Sequence, residues 1–274
     1  MTQKEKAVRF QELHEGAGTF VIPNPWDVGS ARMLAGMGFV ALATSSAASA
    51  CAMGKRDGEL TRDEALAHAR SIVEATDLPV SADLENGFGE APEAVAETVW
   101  QAATVGLVGC TIEDAGGGAL YDFELAVERI RAGVEAARAL PFPFLLTARA
   151  HNLLFAGGSL DEAVRRLRAY EEVGAPVLFA PGLADLAAVR TVCAAVSRPV
   201  NFMAGMAGKS FPVAELAAAG VKRISLATSL YRAAMTGFVK AVREVRETGT
   251  FGFVEECAST GELIALMKSH DING

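Results

Sequence analysis

The chain has 274 residues, 51% of them hydrophobic, with 27 glycines and only 7% aromatics, and a formal net charge of −8 at pH 7. That length suits one large domain or two small ones, and the apolar content is ample for a core. The acidic balance and the lack of a basic stripe exclude nucleic acid and anionic membranes as expected partners. No apolar run approaches the ~18 residues that a membrane span needs. The first residues, MTQKEKAVRFQELHEG, read as a polar amphipathic helix without the apolar stretch of a secretion signal. Cys51, Cys110, Cys193 and Cys257 are scattered without CxxC pairing, so neither a zinc ribbon nor a disulfide framework is indicated. The expectation is a cytoplasmic protein.

Short β-rich runs alternate with helical patterns from end to end. The strand candidates are 19–24, 39–45, 78–85, 109–115, 143–150, 176–181, 199–205 and 221–228. Each is short and apolar, the look of parallel strands buried on both faces. Thr61-x-x-Glu64 and Ser159-x-x-Glu162 are capping boxes, and Pro92 stands at a plausible first helical position. Gly38, Gly106, Gly174 and Gly220 each close a helix just before a strand. Eight βα units without a composition break predict an α/β fold, a single (β/α)₈ TIM-type barrel over 1–274. An open doubly wound sheet is the alternative, although IPNPWDV after the first strand lacks its glycine-rich phosphate turn. Residues 245–274 form a C-terminal helical extension. Its surplus helix has no slot in a simple barrel and is expected to pack on another subunit.

In such a barrel the active site lies where strands end. Those positions hold Asp27, Ser45, Ser46, Asp57, Asp83, Glu85, Glu113, Asp114, Arg149 and His151, while strands 6 to 8 end in FAPG, FMAG and LATS. Alternation along a strand puts Asp83 with Glu85 on one face, and Arg149 with His151. Carboxylates converging with Glu113 and Asp57 cannot all stay ionised without compensation, and a hard divalent cation, Mg²⁺, is the usual one.

SADLENGFG, TIEDA and LTARAHN, with IPNPWDVGSA, LATSSA, MGKRDG and SLDEAVRRLRAY, resemble the isocitrate lyase / phosphoenolpyruvate mutase superfamily. The likeness runs from about Phe10 to Ala233. It implies a barrel whose C-terminal helices are swapped between subunits, in a homodimer or homotetramer. It also implies Mg²⁺, with Mn²⁺ possible as a substitute, and scission next to a 2-oxo or 2-hydroxy carboxylate through a Mg²⁺-bound enolate. Carried over by position, Asp83 is nearest the metal, and Glu85, Asp57 and Glu113 hold its water shell. Ser45 and the amides of Ser46 and Ala47 cradle the small-molecule carboxylate substrate, and Arg149 faces it. The resemblance implies a carbon–carbon lyase; oxaloacetate decarboxylation, phosphonopyruvate hydrolysis or mutation, and a non-catalytic barrel are the alternatives.

The chain departs from the family in one respect above all. The lyases' K-x-C-G-H loop after strand 4 is replaced here by AGGGALYD, so the loop cysteine that acts as acid or base is missing. Two readings stand for His151: a general acid or base in its place, or a structural hydrogen bond to Glu113. Tyr121 is placed to close over substrate, Cys51 in the loop after strand 2 either reaches the pocket or is filler, and Gly116 to Gly118 give either a gate or a tight connection. Asp122 should cap the next helix. Lys55 and Arg56 meet a second substrate carboxylate or water, and His14, His68 and His270 are expected on the surface.

Overall fold

The computed structural model describes residues 1–267; His270 lies outside them. The barrel strands are β1 (Phe20–Ile22), β2 (Leu42–Ala43), β3 (Val80–Asp83), β4 (Gly109–Glu113), β7 (Leu145–Arg149), β8 (Val177–Phe179), β9 (Val200–Met203) and β10 (Arg223–Ser225). Their order in the sheet is β1-β10-β9-β8-β7-β4-β3-β2, and every pairing is parallel. The glycine run folds into a small antiparallel hairpin of β5 (Ala115–Gly116) and β6 (Ala119–Leu120). All eight expected strands are present, each shorter than its apolar run.

The ladder does not run between β1 and β2, and local bonds close that seam. The Ala43 amide donates to the Pro23 carbonyl at 3.1 Å. Buried Asn24 donates through Nδ2 to the Thr44 carbonyl at 3.0 Å, and its Oδ1 accepts from the Leu226 amide at 2.8 Å. One side chain thereby ties the ends of β1, β2 and β10, and the barrel is nearly closed.

The helices are α1 (Gln3–Glu15), α2 (Val28–Gly36), α3 (Ser46–Ala52), α4 (Arg62–Ala75), α5 (Pro92–Thr104), α6 (Phe123–Arg138), α7 (Leu160–Glu172), α8 (Leu186–Ala195), α9 (Val213–Ala218), α10 (Ser229–Thr248) and α11 (Thr260–Leu266). The Thr61–Glu64 capping box forms in full, Pro92 opens α5, and Ser159 accepts from the Glu162 amide. The four helix-closing glycines all take positive φ, between 86° and 95°, where a Cβ would be strained. Asp122 holds the N-cap position of α6, but its side chain makes no capping bond.

Outward-facing strand residues such as Ile112, Leu146 and Leu178 pack with Val95, Val99, Ile130 and Leu167 of the surrounding helices. At the N-terminal end of the barrel, α1 brings Ala7 and Phe10 onto Ile22, Val108, Leu145 and Val177. That plug needs Gly109, because a Cβ there would stand 2.6 Å from the Leu145 carbonyl oxygen and 3.1 Å from the Phe10 ring. At the other end of the chain, α11 lies against α2 of its own subunit. No residue of α10 is buried, and Phe238, Val239, Val242 and Val245 stand exposed along it.

The α1 plug corrects one expectation. His14 is buried, not a surface residue. Its Nδ1 lies 2.8 Å from the Phe10 carbonyl, so Nδ1 carries the hydrogen and Nε2 is the acceptor, 3.4 Å from Arg223 Nη1. His68 is half-buried between Ser49 (Nδ1 to Oγ, 3.1 Å) and the Trp26 carbonyl (2.9 Å). Local pattern misplaced both because their partners are distant in sequence.

Burial, and then the Arg223 and Lys222 charges, push the His14 imidazole down from 6.5 to about 3. Below pH 6.5 the unfolded chain therefore takes up a proton that the folded chain refuses. Stability should be lost from 6.5 toward 3, at up to about 1.4 kcal/mol per pH unit from this residue. Denaturant unfolding between pH 6.5 and 5 should show a shallower pH slope for His14→Gln than for wild type; equal slopes would refute the assignment.

Candidate functional site

A cavity of about 190 Å³ opens at the C-terminal ends of the strands, and Ser45, Ser46, Ala47, Asp57, Asp83 and Arg149 are among its walls. Asp83, the last residue of β3, faces inward by the pleat of the strand. Its Oδ2 accepts from the Ser46 hydroxyl at 3.2 Å and stands 3.5 Å from the Ser46 amide; its Oδ1 accepts from the Glu85 amide at 3.3 Å. The Asp83 amide in turn donates to Thr44 Oγ1 at 3.2 Å. Ser45 caps α3, with the Ala48 amide 3.5 Å from its hydroxyl oxygen.

Arg149, at the end of β7, places Nη1 3.2 Å from Glu113 Oε2 and 3.8 Å from Asp83 Oδ2. Its guanidinium lies 5.3 Å from the centre of the Phe179 ring. Its buried Nε has no hydrogen-bond partner among the described residues, an unsatisfied polar atom in a side chain that also lines the cavity.

Burial raises the Asp83 carboxyl, and the nearby Glu113 and Asp57 charges add to this, with Arg149 pulling the other way. Glu85 is raised to about 7, by burial first and then by Asp83, Asp57 and Glu113. Burial works on Glu113 too, but the His151 contact and the Arg149 charge outweigh it and hold this carboxyl below its usual range. Asp57 reaches the same cluster from the exposed loop before α4.

The alternation argument for two residues does not hold. β3 stops at Asp83, and Glu85 follows in a turn with φ of 50°, a left-handed conformation costly for a side-chain-bearing residue. β7 stops at Arg149, and His151 precedes a short 3₁₀ turn, Asn152–Leu154. Both still reach the cluster, Glu85 electrostatically and His151 through Glu113. His151 Nδ1 is 3.0 Å from Glu113 Oε2, a close ion-pair distance at which the N–H is not aligned for a good hydrogen bond. Neither Glu85, Glu113 nor His151 is among the residues lining the cavity. His151 thus stands against Glu113 without forming the hydrogen bond of its structural reading.

Other candidates resolve away from the cavity. Asp27 caps α2 by accepting from the Ser30 amide at 2.7 Å. Lys55 pairs with Glu64 at 2.5 Å, and Arg56 with Glu59 at the same distance. Cys51 and Cys257 are exposed, Cys193 is half-buried, and Cys110 is buried in the layer between sheet and helices. The glycine run is a tight connection: a Cβ at Gly116 would stand 2.2 Å from the Tyr121 hydroxyl, which accepts from Asn86 Nδ2 at 2.8 Å.

The supporting residues were the ones that sequence reasoning missed. Asp114 is buried behind Glu113. Its Oδ1 accepts from the His151 amide at 2.7 Å, and its Oδ2 from Arg166 Nη1 at 2.9 Å and the Tyr170 hydroxyl at 2.5 Å. Arg129, buried on α6, donates to the carbonyls of Asn86, Gly89 and Glu90, pinning the loop that carries Glu85. Position alone could have suggested Asp114, since it points opposite Glu113 in the strand. Nothing local marks Arg129.

Comparison with known proteins supplies the family. A family model described as phosphoenolpyruvate phosphomutase matches residues 10–246. A Burkholderia cenocepacia J2315 structure, described as a candidate lyase/mutase, is 48% identical, covers 96% of both chains and superposes with a TM-score of 0.94. The 2-methylisocitrate lyase of Escherichia coli K12 is 33% identical over 70% of this chain and 68% of its own. A 2,3-dimethylmalate lyase structure is 27% identical, covers 96% of this chain and 95% of its own, and has a TM-score of 0.86. With the match running from the helix that plugs the barrel to the eighth barrel helix, the chain belongs to the phosphoenolpyruvate phosphomutase family, a group of lyase and mutase enzymes.

Proposed function

We propose that this chain is a Mg²⁺-dependent lyase-type enzyme that breaks a C–C bond next to the carbonyl of a 2-oxo or 2-hydroxy carboxylate, through an enolate. The observation that carries the reading is the surplus of crowded carboxylates beside an arginine with a free donor. Burial first and then the neighbouring carboxylate charges oppose ionisation of Asp83 and Glu85, and Arg149 and His151 stand close only to Glu113. An all-oxygen donor set of that charge fits a hard divalent ion. Asp83 would hold the ion, and Asp57, Glu85 and Glu113 its waters. Among the described residues no three His, Cys, Asp or Glu side chains are grouped so as to enclose an ion by themselves, so water would have to complete the shell of any ion held there. Mg²⁺ when bound, or Mn²⁺ in its place, supplies a Lewis acid for negative charge on a substrate oxygen.

The chain's own residues do the rest. Arg149 lines the cavity, and its planar guanidinium would face a carboxylate or enolate oxygen with a set of fixed donors that a lysine could not match. Ser45 and the amides of Ser46 and Ala47 stand at the cavity wall as fixed donors for the carboxylate and keto oxygens. His151 holds Glu113 charged and so acts on the site as a positioning residue. The E. coli 2-methylisocitrate lyase and the 2,3-dimethylmalate lyase, both named for C–C cleavage, support this reaction class. The hairpin in place of the thiol-bearing loop favours a second reading, oxaloacetate decarboxylation or phosphonopyruvate hydrolysis or mutation, none of which needs that cysteine. The bare face of α10 supports assembly through a second copy as a homodimer or homotetramer with that helix exchanged, whereas α11 stays against α2 of its own subunit. Light scattering giving the mass of one chain would end that part.

Calorimetric titration with Mg²⁺ and oxalate should give binding that Asp83→Ala abolishes; unchanged binding would refute the metal assignment. Because a raised Glu85 is protonated below about pH 7, binding should be weaker at pH 6 than at pH 8, and the reverse order would contradict it.

Activity on oxaloacetate, phosphonopyruvate, malate derivatives and methylisocitrate should require the divalent ion and vanish in Arg149→Ala. Full turnover in EDTA would end the mechanism. A direct general acid or base contributes ~10²–10⁴ in rate, so His151→Gln should cost less than that. A chain with all four cysteines replaced should keep most of its activity; a large loss in Cys51→Ser alone would overturn the thiol-free reading.

A further inference from the structure

Arg223, the first residue of β10, is a buried cation that meets only neutral acceptors. The residue is 4% exposed. Nε donates to Asn201 Oδ1 at 2.8 Å, Nη2 to Thr147 Oγ1 at 3.0 Å, and Nη1 faces His14 Nε2 at 3.4 Å. His14 is itself neutral at ordinary pH, because burial and the facing Arg223 charge push its imidazole down to about 3. A guanidinium has five N–H donors, so two of them lack an acceptor among the described residues.

Of the other buried arginines, Arg166 meets Asp114 and Glu162, and Arg129, like Arg223, meets only neutral acceptors, three carbonyls, but does not line the cavity. An uncompensated buried charge is costly and is normally paired. Burial pushes the Arg223 guanidinium down to about 9, which still leaves it protonated at neutral pH. Arg223 also lines the cavity whose other walls include Ser45, Asp83 and Arg149. Those three stand at or after the C-terminal ends of their strands, whereas Arg223 opens β10 and therefore lies at the inner end.

We propose that Arg223 forms an anion subsite at the inner end of the cavity, taking one carboxylate group on its two free N–H donors. A planar carboxylate matches the guanidinium fork. The group comes either from the far end of a dicarboxylate substrate, which rests on the reading under Proposed function, or from a free monocarboxylate bound independently of it.

Formate is the probe, titrated into the full-length chain and followed by thermal melting and by the arginine Nε–H NMR signals. The expected result is saturable binding that Arg223→Gln weakens by roughly tenfold or more, as loss of a charge-assisted bidentate contact should. Arg223→Lys, which retains the charge, should keep part of the binding, and it serves as the test if the glutamine variant does not fold. No saturable binding in the wild type, equal binding in Arg223→Gln, or loss in Arg149→Ala instead would overturn the subsite.

Oxalate and oxaloacetate decide the source. Weakened oxaloacetate but unchanged oxalate binding in Arg223→Gln assigns the subsite to a substrate's second carboxylate. Simultaneous binding of formate and oxaloacetate assigns it to a free anion. Failure of Mg²⁺–oxalate binding with formate binding intact would remove the proposed function and leave the subsite standing.

Discussion

Crowding of like charge in a partly desolvated rim is the constraint around which this barrel is organised. Asp57, Asp83, Glu85 and Glu113 interact closely enough that Asp83 and Glu85 are both pushed upward. Only Glu113 is held low, because His151 and Arg149 stand at 3.0 and 3.2 Å from it. The cluster therefore has two halves. One is a carboxylate held by two close basic groups, and the other is a set of acids for which the more distant Arg149, 3.8 Å from Asp83, is the one basic partner among the described residues.

Holding such a cluster together takes a rigid frame, and the frame is itself ionic. Asp114 sits on the opposite side of β4 from Glu113, and its two oxygens accept from His151, Arg166 and Tyr170. Its amide donates to the Arg149 carbonyl at 3.1 Å, and its carbonyl accepts from the Tyr121 amide at 2.9 Å. A buried ion pair is tolerable only when the remaining lone pairs are also used, and Asp114 meets that condition. One residue thus connects the end of β4, the end of β7 and the hairpin that replaces a longer loop. On the neighbouring strand, Glu85 is kept at a φ of 50° by a loop whose carbonyls Arg129 holds from α6. The strain at one acid is maintained by a cation that never touches it.

These relations explain what could and could not be read from the chain. The eight strands, most of the helix caps and the convergence of DLE, IED and AR at one rim follow from local chemistry and the two-residue period of a strand; the exceptions are Asp122, whose side chain makes no capping bond, and Glu162, which does not complete the Ser159 box. The same period misled where a strand ended early. Glu85 and His151 lie past the last paired residue, so their positions depend on turns that the pleat does not govern. Glu113 and Asp114 are adjacent in sequence, yet one faces substrate-side charge and the other the helix layer. Only the positions of Arg166 and Tyr170, more than fifty residues later, decide what Asp114 does. His14 went wrong for the same reason, since its partner Arg223 lies 209 residues away.

Along the barrel axis the interior changes character in steps. The N-terminal end is closed by apolar side chains of α1, Ala7 and Phe10. Above that plug comes a layer in which Arg223 is surrounded by Asn201, Thr147 and neutral His14. The mouth then gathers the acids, with Arg149 between them and the interior. Neither zone suits a ligand alone: the acids repel a bare anion, and the arginines repel a bare cation. Their order suits an anion whose inner end meets guanidinium while its outer end meets a cation held at the acidic rim. The chemistry of the ligand is thus constrained by the sequence of charges along one axis rather than by any single residue of the site.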